Sequence, residues 1–366
     1  MFGQKHMLSR EGGVEIVVKE LATRMAIRGH KVTCYDRHTR HVSGEVIESR
    51  KEYEGVRIKS VFTIDKKGLA AMTSSFTAAL CSAFGKYDVV HIHAEGPAAM
   101  CWLPHLFRKR VIVTVHGLDW ARAKWGGFAT KYIKWGEKAA VKRADEIIVL
   151  SKSVQDYFNK TYGRKTVYIP NGVSKPELRE AVEIVKRWNL NKDDYVLFLG
   201  RIVPEKGVRY LVEAWKGIET DKKLVIAGGS SDTDSFMKEL KELAGDNVIF
   251  TGFQQGRVLE ELYSNAYVYC LPSDLEGMPL SLLEAMSYGN CCVVSDIPEC
   301  VEVVEDKGVI FKKGNVESLR DVLVHLIDSP STVEEYKKDA SDYIIKKYNW
   351  DIVVDKTIKA YCGEIK

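Results

Sequence analysis

Short apolar runs alternate along the chain with longer stretches whose apolar positions return every three or four residues. This is the pattern of buried strands separated by helices. After Gly12-Gly13, Val17, Leu21, Ala22 and Met25 mark one helical face that ends near Gly29. Residues 31–36 and 56–62 read as strands, and 69–84 as a helix rich in small residues. Residues 88–93, 111–116 and 146–150 are apolar runs suited to buried parallel strands, and 128–143 is the clearest intervening helix. Residues 167–173 read as a last strand running into the turn chemistry of Pro170 and Asn171-Gly172. The alternation then starts again, with strands expected at 195–199, 223–227, 247–250, 266–270, 291–294 and 309–311. Two helices, 331–347 and 350–362, close the chain.

The pattern predicts an α/β protein with two doubly wound parallel sheets. A domain boundary is expected at the turn, giving domains 1–172 and 173–347, with 348–366 a helix crossing back to the first. One piece is short. Such a sheet opens with a strand before its first glycine loop, and only Met1-Phe2-Gly3 stands there. Either that strand is very short or its beginning lies upstream of Met1.

At 366 residues the chain exceeds one typical core, which agrees with two domains. No apolar run is long enough for a transmembrane helix, and Met1-Phe2-Gly3-Gln4-Lys5-His6 lacks the apolar core of a signal peptide. The eight cysteines show neither Cys-x-x-Cys nor zinc spacing, and most lie in apolar settings. They read as reduced packing thiols of a cytoplasmic protein. The net charge of +4 hides an asymmetry. Up to Gly172 there are 29 Lys and Arg against 16 Asp and Glu, and beyond it 25 against 34. The basic first half suits an anionic partner, such as a phospholipid surface, a lipid phosphate or nucleic acid, or else only a solvated surface.

The candidate chemistry centres on residues 273–286. A polar loop, Ser273-Asp274-Leu275-Glu276-Gly277-Met278, leads to Pro279 at the expected first helical position and then to an apolar helix. The backbone N–H groups of Met278, Leu280 and Ser281 would form an anion site at that helix start, and Gly277 allows close approach. Glu284 is a carboxylate among apolar neighbours. Either it holds ligand hydroxyls, with Glu276 holding a second set, or it faces solvent and Glu276 only caps the helix.

Gly200-Arg201 to Glu205-Lys206-Gly207 lies between an expected strand and an expected helix. There two cations can face the ligand side of a parallel sheet, the guanidinium as a fork and the ammonium as a point charge, a pairing suited to a diphosphate. Gly12-Gly13 could bring N–H groups to a phosphate, although a glycine pair is more often a turn. His116, in His116-Gly117-Leu118-Asp119-Trp120, ends a strand on the same ligand side. His91 and His93 read as sheet-lining residues first. Gly-x-Gly-x-x-Gly and the P-loop pattern are both missing, which argues against a nicotinamide dehydrogenase and a P-loop NTPase.

Residues 102–143 mix Trp102, Trp120, Trp125 and Trp135 with Arg108-Lys109-Arg110 and a lysine face at 131, 134, 138 and 142. Phe128, Tyr132, Trp135 and Ala139 run alongside. This is either a helix resting on an anionic membrane or a solvated cationic face beside a core stripe.

Together these pieces resemble the retaining glycosyltransferases of family 4, over nearly the whole length. The matching residues are Gly12-Gly13-Val14-Glu15, Val115-His116-Gly117, Pro170-Asn171-Gly172, Gly200-Arg201…Glu205-Lys206-Gly207 and the Glu276-x7-Glu284 motif. The opening residues and 116–120 are similar to a bacterial branch that builds capsule or O-antigen glycans. The resemblance implies the GT-B fold, two Rossmann-like domains facing across a crevice, with the acceptor on the N-terminal domain and a nucleotide-sugar donor on the C-terminal one. Arg201 and Lys206 would neutralise the leaving diphosphate, and Glu284 would bind the ribose. Glu276 and the backbone of Gly277, Met278 and Leu280 would hold the sugar. Gly12 and Gly13 would meet the phosphate, and His116 the sugar near the reacting carbon. It further implies a UDP-sugar as the commonest donor, no metal and no other cofactor, while nucleic-acid binding by the basic half is disfavoured by the absence of any matching module. The acceptor would be a glycan or a polyprenyl-diphosphate-linked glycan, met at the inner face of the cytoplasmic membrane. Two other readings share the pattern: a sugar-nucleotide 2-epimerase, and a non-catalytic binder of nucleotide sugars or polyanions.

Overall fold

The computed structural model describes residues 1–10, 12–38, 50–66, 68–121, 127–229 and 234–365. Trp125, one of the aromatic residues noted above, lies outside them. By internal contacts the chain divides into two compact units: Met1–Asn171 with Trp350–Lys366, and Gly172–Asn349.

Unit 1 contains β1 (Thr33–Arg37), β2 (Glu52–Tyr53), β3 (Val56–Val61), β4 (Val89–His93), β5 (Arg110–Val115), β6 (Glu146–Val149) and β7 (Val167–Tyr168). They form two hydrogen-bonded groups, β1-β3-β2 and β4-β5-β6-β7. The opening strand amounts to one residue. Phe2 makes parallel bridges to Tyr35 of β1 and Ile92 of β4, accepting from the His93 N–H at 2.9 Å and donating to the His91 carbonyl at 3.1 Å. A single buried residue thereby joins the two groups into one layer. β2 was not expected: it pairs antiparallel with β3 through a turn at Glu54-Gly55, adding one antiparallel edge to an otherwise parallel sheet.

Apolar helix faces cover this sheet. The Gly13–Ile27 helix buries Val17, Val18, Leu21, Ala22 and Met25. The closing Trp350–Cys362 helix packs against it, with Asp351 and Asp355 paired to Arg24 and Arg28.

Unit 2 is a wholly parallel six-stranded sheet: β8 (Tyr195–Leu199), β9 (Lys223–Ala227), β10 (Val248–Gly252), β11 (Val268–Leu271), β12 (Cys291–Ser295) and β13 (Val309–Phe311). Its order is β10-β9-β8-β11-β12-β13. The chain winds one way from β8 and the other way from β11, so the switch point lies between those two strands. Ligands of such sheets bind beyond the carboxyl ends of the strands at that point. In unit 1 the equivalent point lies between Phe2 and β4.

One backbone strain marks the end of β4. Ala94 holds φ 75° and ψ 155°, a region used almost only by glycine, while its N–H donates to the Thr114 carbonyl at 2.9 Å. Ala94→Gly is expected to stabilise unit 1 by about 1 kcal/mol, the relieved strain less the entropy of a glycine. Phe2→Ala, which empties the join of the two strand groups, is expected to cost about 3–5 kcal/mol. Urea unfolding of both variants, followed by tryptophan fluorescence, checks the two signs.

Candidate functional site

In unit 2, β8 ends in Gly200-Arg201 and a short 3-10 turn, Pro204–Lys206, before the Val208–Trp215 helix. Gly207 closes that turn at φ +65°, and a Cβ there would stand 1.8 Å from the Pro272 carbonyl oxygen. Only glycine lets the turn settle onto the exit of β11, where the Asp274 N–H donates to the Glu205 carbonyl at 2.9 Å. This seating brings two of the sequence candidates together across the switch point. Lys206 Nζ lies 2.5 Å from Glu276 Oε1, with side-chain exposures of 15% and 7%. The Ser273 hydroxyl donates to the same oxygen at 2.7 Å.

The helix after the loop is Leu280–Ser287. Pro279 therefore stands at its N-cap, not at its first helical position as the sequence suggested. The cap residue has extended ψ (100°), and its carbonyl accepts from Leu282 and Leu283. Leu280 and Ser281 open the first turn, where backbone N–H groups point out of the helix end. Glu284 is half-buried. Its Oε2 accepts from the Tyr263 hydroxyl at 3.1 Å, and Tyr263 stacks on Tyr288 with centroids 5.1 Å apart. The buried Tyr269 phenol is held well above its ordinary pKa, by burial first and with Glu276 and Glu284 both contributing.

The sequence reading passed over two features here. Gly228-Gly229 ends β9, and a Cβ at Gly228 would lie 1.8 Å from the Gly200 carbonyl oxygen, so the exits of β8 and β9 touch. A glycine pair following a strand was the available signal. Glu205, on the same turn as Lys206, is buried with neither carboxylate oxygen hydrogen-bonded among the described residues.

In unit 1, Gly12 caps the first helix in extended conformation and Gly13 is exposed at its first position. Glu15 folds back over Gly12 and accepts from the Lys5 N–H at 2.8 Å, which puts a carboxylate at this helix start. His116 is buried just beyond β5, and its Nε2 shares a hydrogen bond with His93 Nδ1 at 3.1 Å. His93 stacks on His91 at 4.1 Å, and His91 bonds Thr114 Oγ1 and the Tyr361 hydroxyl, each at 2.7 Å. Burial first, with the N-terminal ammonium and the neighbouring imidazoles adding to it, keeps His91 and His93 well below the ordinary histidine pKa, so both are neutral.

Two acids not picked out from the sequence pin the loop after His116. The Asp119 N–H donates to Glu95 Oε2 at 2.8 Å. Glu137, fully buried, accepts from Trp120 Nε1 and Tyr157 at 3.0 Å each and from Tyr162. Burial, then Asp119 and Glu137, push the Glu95 carboxyl well above the usual range. Glu137 lies in a helix whose exposed face is lysine-rich, so charge counting hid it. That helix, Gly127–Arg143, buries Ile133, Gly136, Glu137 and Ala140 and exposes Lys131, Lys134, Trp135, Lys138 and Lys142.

Comparison with known proteins fits this architecture. Residues 11–175 match the family model described as Glycosyltransferase Family 4, and 182–347 match Glycosyl transferases group 1. An uncharacterised glycosyltransferase of Methanocaldococcus jannaschii is 26% identical over 96% of this chain and 94% of its own length. Among solved structures, sucrose-phosphate synthase from Thermosynechococcus elongatus superposes with a TM-score of 0.80 at 22% identity, covering 96% of this chain and 93% of that one. Anabaena HepE in complex with UDP and glucose gives 0.82 at 15% identity, covering 99% and 98%. The protein is a glycosyltransferase of the GT-B fold, built from a family 4-type N-terminal domain followed by a group 1 domain.

Proposed function

We propose that the chain transfers a sugar, with retention of anomeric configuration, from a UDP-sugar to a glycan or polyprenyl-diphosphate-linked acceptor in cell-surface polysaccharide synthesis. The observation that carries the reading is the enclosed Lys206–Glu276 pair at the switch point of unit 2, with Glu284 on the adjoining helix. That one ensemble offers a cation, two carboxylates and a helix N-terminus, the groups that a diphosphate, a sugar and a ribose require. UDP in the Anabaena neighbour supports the choice of donor.

In this reading Arg201 and Lys206 stabilise the departing UDP without a metal, and the backbone of Met278 and Leu280 at the helix start holds the donor sugar. Glu284 holds the ribose. Glu276, relieved of part of its pairing with Lys206 when the diphosphate arrives, holds sugar hydroxyls together with the Gly277 backbone. In unit 1, Gly12 and Gly13 are assigned to the phosphate and His116 to the sugar. The bond from the anomeric carbon to the diphosphate breaks as the acceptor oxygen attacks from the same face, and the acceptor proton passes to the departing phosphate oxygen. Unit 1, the basic half, is assigned to the acceptor, and the protein to the cytoplasmic membrane surface.

Slow hydrolysis of a panel of nucleotide sugars, read as nucleoside diphosphate release, tests this. One donor is expected to turn over, and Arg201→Ala, Lys206→Ala and Glu284→Ala are each expected to lower its rate by about 10²–10³-fold. Gly207→Ala should lose activity to a similar degree while retaining Lys206, because the turn can no longer seat on Pro272. Epimerised donor in place of released diphosphate would establish the epimerase reading. Binding without release, with membranes supplied as acceptor source, would establish a non-catalytic binder.

A further inference from the structure

The Leu69–Phe84 helix of unit 1 has its side chains distributed against the usual rule. It carries no charged residue in 16 positions. The face against the sheet is made of small side chains, Ser74, Ser75, Ala78, Ala79, Ser82 and Ala83, all buried. The buried serines are satisfied by their own helix, Ser75 Oγ donating to the Ala71 carbonyl at 2.6 Å and Ser82 Oγ to Ala79 at 2.9 Å. The large apolar side chains face outward instead. Leu69, Phe76, Leu80 and Phe84 are exposed, Phe84 by 68%, and their spacing places them in one stripe.

The stripe continues onto the Trp102–Leu106 helix, which packs beside it. The Phe84 and Phe107 rings meet edge-on at 4.6 Å, and Trp102, Leu106 and Phe107 are all exposed, Leu106 by 69%. An apolar face of this extent, continuous across two helices, marks an interaction site. The charges next to it are mainly cationic. Lys66 precedes the first helix, Lys86 follows it, and Arg108 and Lys109 follow the second, against Asp65 and Asp88.

We propose that this face docks the protein on an anionic lipid bilayer. The aromatic and leucine side chains enter the boundary between headgroups and acyl chains, and the flanking cations meet lipid phosphates. The charge pattern selects this occupant over a second copy of the chain, because two-fold pairing of the face would set its excess of cations against itself. The sequence pointed to the Gly127–Arg143 helix for such a role. That helix sets its exposed aromatics, Phe128 and Trp135, among lysines, whereas the Leu69–Phe84 helix carries no charge and supplies a continuous apolar stripe. Docking rests on the assignment to the membrane surface made above, supplies the face that performs it, and can be measured without donor or acceptor.

The test is flotation of the full chain with vesicles of phosphatidylcholine and phosphatidylglycerol, against phosphatidylcholine alone. The wild type is expected to float with the anionic vesicles only. The triple variant Phe76→Ser/Leu80→Ser/Phe84→Ser should reduce the bound fraction at least about tenfold, and Lys86→Gln/Arg108→Gln should weaken binding most at low salt. Leu106→Ser, on the neighbouring helix, gives an independent loss should the triple variant melt early. Diphosphate release from the donor in solution should be unchanged in Leu106→Ser, which separates this inference from the assignment of the reaction. The proposal is overturned if the wild type ignores anionic vesicles, or if the folded variants float as it does. It is equally overturned if they change only the oligomeric state seen by light scattering, since a second copy would then cover the face.

Discussion

The turn after β8 must seat directly on the backbone leaving β11, and the donor-side geometry depends on that contact. Gly207 touches the Pro272 carbonyl at a distance no side chain allows, which fixes Lys206 against Glu276. An ion pair this enclosed loses most of its hydration, and its mutual attraction is a poor source of net stability. A cation held in place by a carboxylate is already oriented, and in the proposed reading a diphosphate would compete for it without having to order a loose side chain. The position follows from topology. β8 and β11 are neighbours in the sheet although two strands separate them in the chain, and the gap between their ends is where both charges fall.

Unit 1 handles polar groups in the opposite way. His91 and His93 are buried and neutral, and His93 links by hydrogen bond to His116. Glu137 gathers an indole and two phenols, and Glu95 holds the Asp119 amide. These groups fix the loop after His116 through hydrogen bonds to its backbone and indole. The strain at Ala94 falls between His93 and Glu95, where β4 must turn within one residue to place both.

Much of this was legible in the chain. The strands at 195–199 and 223–227 lie where the apolar runs put them, because a run buried on both faces has few other readings, and the strand at 309–311 and the helix at 69–84 also keep their expected bounds. β11 was read two residues early, since Ala266 and Tyr267 are apolar but precede the ladder. β2 escaped notice because two residues, Glu52 and Tyr53, carry no periodicity. The motifs around Arg201, Lys206, Glu276 and Glu284 were readable as candidates, as was the position of His116 at a strand end. Glu95, Glu137 and the burial of Glu205 were not, since a carboxylate in the sequence looks like any surface charge until burial is known.

The sequence alone determined the alternation of strand and helix and the types of chemistry available, because these follow from local periodicity and residue identity. Only the tertiary structure decided which charges meet. The pairing of Lys206 with Glu276 depends on strand order, which periodicity does not encode. The outward stripe of the Leu69–Phe84 helix is the same kind of fact. A helix with apolar residues on both sides shows no preferred face in its sequence, and only the close approach of the sheet to its serines and alanines determines that the phenylalanines and leucines are left outside.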